Sequence, residues 1–256
     1  MLLAIDIGNS NIVAGIYKND DLLSTIRIST DKNKTSGEYA ALFSDLLETN
    51  SIKLNNLNSS IISCVVPQLN DVLLETLKNY FNIEPLIVSS GIKTGMPNLY
   101  DNPEEVGADR IVNSVAAYQK YKKSLIVVDF GTATTFDCIS ENGEYLGGII
   151  SPGITISSNA LFAEASKLPR VELIKPKNVI GKNTVESMQS GIIFGYAAMV
   201  DGLIDKIING LNCNPKIIAT GGLAKLIADE SKRIEEVDEF LILKGLKYLS
   251  KLNGQL

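Results

Sequence analysis

The chain has 256 residues, 45% of them apolar and 21% charged, with a formal net charge of −5. That is the composition of an ordinary soluble protein of one large or two small domains, and its acidic balance does not favour a nucleic-acid surface. Histidine is absent, which removes imidazole bases, phosphohistidine chemistry and His-ligated zinc and leaves carboxylates as the first candidates for proton transfer.

No apolar stretch reaches the ~18 residues of a membrane span. The N-terminus has no basic region and meets Asp6 almost at once, so no secretory signal is expected. Cys64, Cys138 and Cys213 are far apart and show no metal-ligand spacing. Cys64 and Cys138 fall in predicted strands, where reduced core thiols in a cytoplasmic protein are the natural reading.

In chain order, Leu2 to Ile5 reads as a buried apolar strand with Asp6 at its end, followed by Ile7-Gly8 and the small polar residues Asn9 and Ser10. Two further strand-like runs follow, Asn11 to Tyr17 and Leu22 to Ile28, separated by the turn Lys18-Asn19-Asp20-Asp21. Thr35 and Glu38 have capping-box spacing. The helix they open carries Leu42, Phe43, Leu46 and Leu47 on one side, and a second helix fits Leu69, Val72, Leu73, Leu77 and Tyr80. Strands are expected at Ile61 to Val66 and Leu86 to Val88, then a loop from Ser89 to Glu105 with Gly91, Gly95, Pro97 and Pro103. Long loops inside compact domains are often functional.

The second half begins with a helix from Gly107 to Tyr121, then the strand Leu125 to Val128, leading into Asp129-Phe130-Gly131-Thr132-Ala133-Thr134. A hairpin through Glu141-Asn142-Gly143-Glu144 follows. Ser151-Pro152-Gly153 precedes a helix towards Lys167, and residues 168–183 read as extended and turn-rich. A Gly- and Ala-rich helix runs from Thr184 to Asn209, and a strand at Ile217 to Ala219 ends in Thr220-Gly221-Gly222. Lys120, Lys122 and Lys123 read as a solvated last turn complementing the helix dipole. The order strand, Asp-x-Gly turn, strand, turn, strand thus occurs twice, as weak symmetry at domain scale. Two related halves facing one cleft are expected, at residues 1–106 and 107–256.

A buried strand ending in Asp and Gly is common by itself; the pairing gives the motif meaning. Each Asp can reach a metal or a metal-bound water, each Gly permits a sharp turn, and the hydroxyls, amides and N–H groups suit phosphate oxygens. Asp6 to Asn11 is neither a Walker A loop nor a dinucleotide fingerprint, and matches the phosphate hairpin of actin-like kinases. Gly107-Ala108-Asp109-Arg110 would place Asp109 in a first helical turn, where the dipole favours its anion; the bland alternative leaves Arg110 pointing to water. Asp109 suits the proton-acceptor role in phosphoryl transfer to an alcohol, because the transition state is loose and the proton leaves late. Arg110 suits a substrate carboxylate. Tyr100 reads equally as a packed loop residue and Thr184 as an N-cap. Gly221-Gly222 reads as an approach to adenine or a simple turn.

These motifs, in this order, resemble the type III pantothenate kinases. The resemblance rests on Asp6 to Ser10, Ser63-Cys64-Val65-Val66-Pro67, Tyr100, Gly107 to Arg110, Asp129 to Thr135, Gly147 to Gly153, Thr220 to Gly222, and Leu241-Ile242-Leu243-Lys244-Gly245-Leu246. Ser10 replaces the more usual Thr and keeps the hydroxyl, and the Lys-rich segment Thr30 to Gly37 is less typical. The resemblance implies an α/β fold of the acetate and sugar kinase, Hsp70 and actin superfamily, with two ribonuclease-H-like halves. It implies ATP- and magnesium-dependent phosphorylation of pantothenate to 4'-phosphopantothenate, the first step of coenzyme A synthesis. By the same analogy Asp109 is the proton acceptor, while Tyr100, Gly107, Ala108, Asp109, Arg110 and Thr184 hold pantothenate. Asp6, Ile7, Gly8, Asn9, Ser10, Asn11, Ile12, Val13 and Thr132 hold ATP, with Asp6 reaching magnesium through water. Asp129 binds potassium or ammonium, and a homodimer is implied. Two other readings stay open on this scaffold: a transcription-accessory protein, and a phosphotransferase acting on another acceptor.

Overall fold

A computed structural model of the chain describes residues 1–211 and 213–255. They form two compact units, residues 1–116 with 241–255, and residues 117–211 with 213–240. The first unit contains β1 (Leu2–Ile7), β2 (Asn11–Lys18), β3 (Asp21–Ser29), α1 (Ser36–Thr49), β4 (Ser59–Cys64), α2 (Pro67–Glu75) and β5 (Pro85–Ile87). Helix α3 (Ala108–Tyr121) carries the chain to the second unit. There follow β6 (Leu125–Phe130), β7 (Ala133–Ile139), β8 (Tyr145–Pro152), α4 (Ile154–Glu164), α5 (Thr184–Leu211), β9 (Lys216–Thr220), α6 (Ala224–Ala228) and β10 (Glu236–Val237). Helix α7 (Leu241–Leu252) returns to the first unit.

The repeat read from the sequence is present as topology. The sheets run β3-β2-β1-β4-β5 and, read in the matching direction, β8-β7-β6-β9-β10. In each, the first three strands form an antiparallel meander and the last two add in parallel. Central strands β1 and β6 are buried except at one position, Asp6 and Asp129 respectively. The registers agree: Asp6 lies opposite Val13 and Ser63, and Asp129 opposite Thr135 and Thr220. An Asp in a run of buried aliphatics is thus held at the same sheet position twice.

Each unit has its own core. In the first, Ile5, Ile7, Ile12 and Ile16 pack with Tyr39, Phe43 and Leu47 of α1 and Leu69 and Leu73 of α2. In the second, Ile126, Val128, Phe130 and Phe136 pack with Ile193, Val200 and Ile204 of α5 and Ile227 of α6. The capping box of α1 is formed as expected: the Thr35 hydroxyl accepts from Glu38 N–H and the Glu38 carboxylate accepts from Thr35 N–H.

Two sequence expectations change, at Tyr80 and Lys120. The two compact units divide within α3, and α7 lies in the first of them. The reason is packing: α7 buries Leu241, Leu243, Leu246 and Leu249, and Gly245 lies so close to α3 that a Cβ there would sit 2.4 Å from the Val112 carbonyl oxygen. Tyr80 is 53% exposed, because α2 stops at Glu75 and continues as a π turn over Thr76–Tyr80, which carries Tyr80 off the apolar face. Lys120 is not simply solvated. It pairs with Glu236 at 2.6 Å and lies 3.6 Å from Asp238, and this pairing, with Tyr121, holds the Glu236 carboxyl down at about 2.

Candidate functional site

In the first unit the turn between β1 and β2 is closed by Gly8 N–H donating to the Asn11 carbonyl at 3.0 Å. A Cβ at Gly8 would lie 3.1 Å from that oxygen, so the turn is tight at this point. Asn9 and Ser10 are exposed at its tip and Asp6 is half-buried at its base. Ile7 and Ile12 are wholly buried in the core, so among the predicted ATP contacts these two offer backbone atoms only. The turn is braced from β3: the Thr30 hydroxyl donates to the Gly8 carbonyl at 2.6 Å, and Thr30 N–H donates to the Ser10 carbonyl at 3.0 Å.

Gly107-Ala108-Asp109-Arg110 is tied to that turn through Val65. Val65 N–H donates to the Ile7 carbonyl at 3.0 Å, and its side chain lies 3.7 Å from where a Gly107 Cβ would be. The Asp109 carboxylate folds back over its own helical turn. Its Oδ1 accepts the Arg110 N–H at 2.8 Å and would stand 2.6 Å from a Cβ on Gly107; the glycine leaves room for this rotamer. Burial pushes the Asp109 carboxyl above the ordinary aspartate value, and the Arg110 N–H and guanidinium charge oppose that shift without cancelling it. Arg110 does not point to water; it is 8% exposed. Tyr100 is half-buried on the preceding loop and its N–H donates to the Asn98 side chain at 3.1 Å.

In the second unit the corresponding turn is one residue shorter, with Gly131 N–H donating to the Ala133 carbonyl at 3.0 Å. Thr132 is half-buried in it. The brace here is a glycine: a Cβ on Gly153, just after β8, would lie 2.1 Å from the Thr132 carbonyl oxygen. Asp129 is approached from β9 by Gly221, at φ +94°, where a Cβ would stand 2.5 Å from Asp129 Oδ1 and 2.7 Å from the Phe130 carbonyl. The carboxylate and carbonyl oxygens are hard donors of the type alkali cations take.

Thr184 opens α5 but does not cap it. Asn183 does, its side-chain oxygen accepting Glu186 N–H at 2.9 Å. Thr184 is exposed and lines a groove of about 850 Å³ with Ser157, Leu161, Gly191 and Tyr196. Tyr196 connects that groove to the Gly153 brace by donating to the Pro152 carbonyl at 3.0 Å.

The predicted residues therefore fall into two sets. Asp6 to Val13, Tyr100 and Gly107 to Arg110 lie in the first unit, with the hairpin and the Asp109 turn linked by Val65; Asp129, Thr132 and Thr184 lie in the second. Sequence reasoning missed Thr30, Gly153 and Tyr196. Gly153 had a usable signal, since it follows the third strand of the second half as Thr30 follows the third strand of the first.

Comparison with known proteins shows the family. A sequence model of the type III pantothenate kinase family matches residues 2–206. Curated type III pantothenate kinases from Geobacter sp. strain M21 and Syntrophus aciditrophicus are 56% and 53% identical over 253 and 254 residues. Each alignment covers 99% of this chain and 100% of the relative. Among solved structures, a Campylobacter jejuni protein described as a Baf family transcriptional activator aligns with TM-score 0.60 at 22% identity, over 99% of this chain and all of that one. A polyphosphate/ATP-glucomannokinase from Arthrobacter sp. strain KM aligns with TM-score 0.51 at 14% identity, over 98% of each. These distant structures establish the fold, that of the actin-like kinases with two ribonuclease-H-like halves. On the full-length match and the shared motifs, the chain belongs to the type III pantothenate kinase family.

Proposed function

We propose that this protein transfers the γ-phosphoryl group of ATP to the primary hydroxyl of pantothenate, with Asp109 accepting the hydroxyl proton. The observation that carries this reading is the Asp109 turn: a carboxylate oriented by the Arg110 N–H, made more basic by burial, and tied through Val65 to a phosphate-type hairpin. An aspartate is adequate because bond cleavage to the leaving phosphate runs ahead of proton loss. The raised value increases its basicity further. Arg110 holds the pantothenate carboxylate, and Tyr100 and Thr184 add contacts to the acceptor. The exposed tip of the first turn receives ATP phosphates through N–H groups and hydroxyls, and Thr132, in the second unit's own turn, is proposed as an ATP contact on the family resemblance.

Asp6 and Asp129 fit cations chemically, as half-buried carboxylates at matched positions of their central strands. Asp6 would hold magnesium through water, and Asp129 with the Phe130 carbonyl would hold potassium or ammonium. Such ions supply positive charge against the phosphates. Among the described residues no cluster of three or more Asp, Glu, Cys or His side chains is set to hold a metal. Activity in sodium-only buffer is expected to fall at least tenfold relative to potassium, read by direct product detection; equal rates in both salts would remove Asp129 from the cation role.

The second unit supports a symmetric dimer. Ile156, Leu161, Phe162 and Val185 are each 41–47% exposed, and Gly191, Gly195 and Gly202 of α5 have open space where a Cβ would be. Exposed apolar side chains suit an association face, and small residues allow two copies of α5 to approach closely. Leu161→Glu is expected to shift sedimentation from dimer to monomer. Because Thr184 lines the same groove, the KM for pantothenate rises several-fold in that variant. A monomeric wild type would overturn this part of the reading. No described helix is long and apolar enough to cross a membrane, and the cytoplasm is the proposed compartment.

The deciding experiment is mass-spectrometric detection of phosphopantothenate from ATP, magnesium and pantothenate, with potassium or sodium. Product formation supports the reading. A folded protein giving no product in either salt would defeat it.

A further inference from the structure

The Lys-rich segment after β3 has a definite structural task. Thr30, at its start, donates its hydroxyl to the Gly8 carbonyl at 2.6 Å and its N–H to the Ser10 carbonyl at 3.0 Å. The next residue is locked in both directions by one buried side chain. The Tyr39 hydroxyl donates to the Asp31 carbonyl at 2.7 Å and accepts Asp31 N–H at 3.2 Å, and Tyr39 is 0% exposed. A core residue of α1 therefore fixes the backbone that presents Thr30.

The consequence follows from peptide geometry. In a trans peptide the C=O of one residue and the N–H of the next point in opposite directions. Holding the Gly8 carbonyl towards Thr30 turns the Asn9 N–H away from Thr30, at the exposed tip of the turn. Gly8 is the residue whose peptide would otherwise be freest to rotate, because it has no Cβ. The second unit braces the equivalent turn from the equivalent strand, but with the backbone of Gly153 packed against the Thr132 and Gly131 carbonyls. The same position serves the same end by two different means.

We propose that Thr30 is a positioning residue for the nucleotide: its hydroxyl presets the Gly8–Asn9 peptide so that the Asn9 N–H is presented to the ATP phosphates. This rests on the reading of the first hairpin as a phosphate site. One neutral hydrogen bond is worth ~0.5–1.5 kcal/mol, so its loss is expected to weaken nucleotide binding about three- to tenfold.

The test compares Thr30→Val, which keeps the shape and removes the donor, with Thr30→Ser, which keeps the donor. Calorimetric binding of a non-hydrolysable ATP analogue and separate KM values for ATP and pantothenate are the readouts. Thr30→Val is expected to raise the analogue Kd and the KM for ATP together, leaving the KM for pantothenate unchanged, and Thr30→Ser to restore both. If Thr30→Val does not fold, Thr30→Ala against Thr30→Ser gives the same comparison. Unchanged nucleotide affinity without the hydroxyl, or equal rises in both KM values, would overturn the proposal. Asp6→Asn separates the two levels: if it too leaves nucleotide affinity unchanged, the hairpin reading itself has failed, whereas an effect there without one at Thr30 rejects Thr30 alone.

Discussion

Replacing Asp109 with Asn is expected to lower turnover about 10²- to 10⁴-fold, the usual contribution of a positioned general base, while raising the melting temperature. Asn keeps the size of the side chain and an oxygen that can accept the Arg110 N–H, so the turn survives. The stability gain follows from the direction of the pKa shift. Burial raises the folded-state value, so the folded protein binds this proton more tightly than the unfolded chain does. An ionised Asp109 therefore costs stability at any pH above its folded-state value, and the cost disappears as pH falls below the unfolded value near ~3.9. Asn carries no such cost, so the two melting curves should differ at neutral pH and converge in acid. The same shift places the acid limb of wild-type kcat/KM at higher pH than an unperturbed aspartate would. Turnover near wild type in the Asn variant would sink the assignment. A lower melting temperature would show that the ionised carboxylate stabilises the turn instead.

Legibility in the sequence tracked how local the cause was. Asp6 and Asp129 stood out because each ends an apolar run and is followed by x-Gly, and the matched registers opposite Val13 and Thr135 are the structural counterpart of that repeat. The α1 capping box and the breaks at Pro97, Pro103 and Gly153 are likewise set by neighbouring residues. What stayed hidden depends on residues distant in sequence. The Thr30 hydroxyl meets a carbonyl 22 positions away, and Tyr196 reaches Pro152 over 44. The apolar face of α7 is legible from its periodicity, but the surface it covers is set by residues distant in sequence, such as Gly245 against the Val112 carbonyl. Arg110 was read as a candidate carboxylate binder, with an exposed side chain as the alternative; its burial was not legible, since Arg is almost never fully buried unless paired.

Gly221→Ala is expected to be the most damaging single-methyl change near Asp129. Two effects coincide there. The residue sits at φ +94°, a conformation that costs a non-glycine residue ~1–3 kcal/mol. The added Cβ would also stand 2.5 Å from Asp129 Oδ1 and 2.7 Å from the Phe130 carbonyl oxygen, inside van der Waals contact. The backbone of β6 is held by antiparallel β7 and parallel β9, so the carboxylate is the part most able to yield. A stability loss of about 3 kcal/mol is expected from strain and overpacking together, and a tenfold or greater rise in the potassium concentration giving half-maximal rate. Gly210→Ala, where a Cβ meets nothing within 4 Å in α5, is the control and should gain ~1 kcal/mol. The decisive comparison is potassium titration of the variant at a temperature where it stays folded. A shifted potassium requirement with unchanged KM for pantothenate ties Gly221 to the cation through Asp129. A stability loss with unaltered potassium dependence would show that Asp129 absorbs the displacement without a part in cation binding.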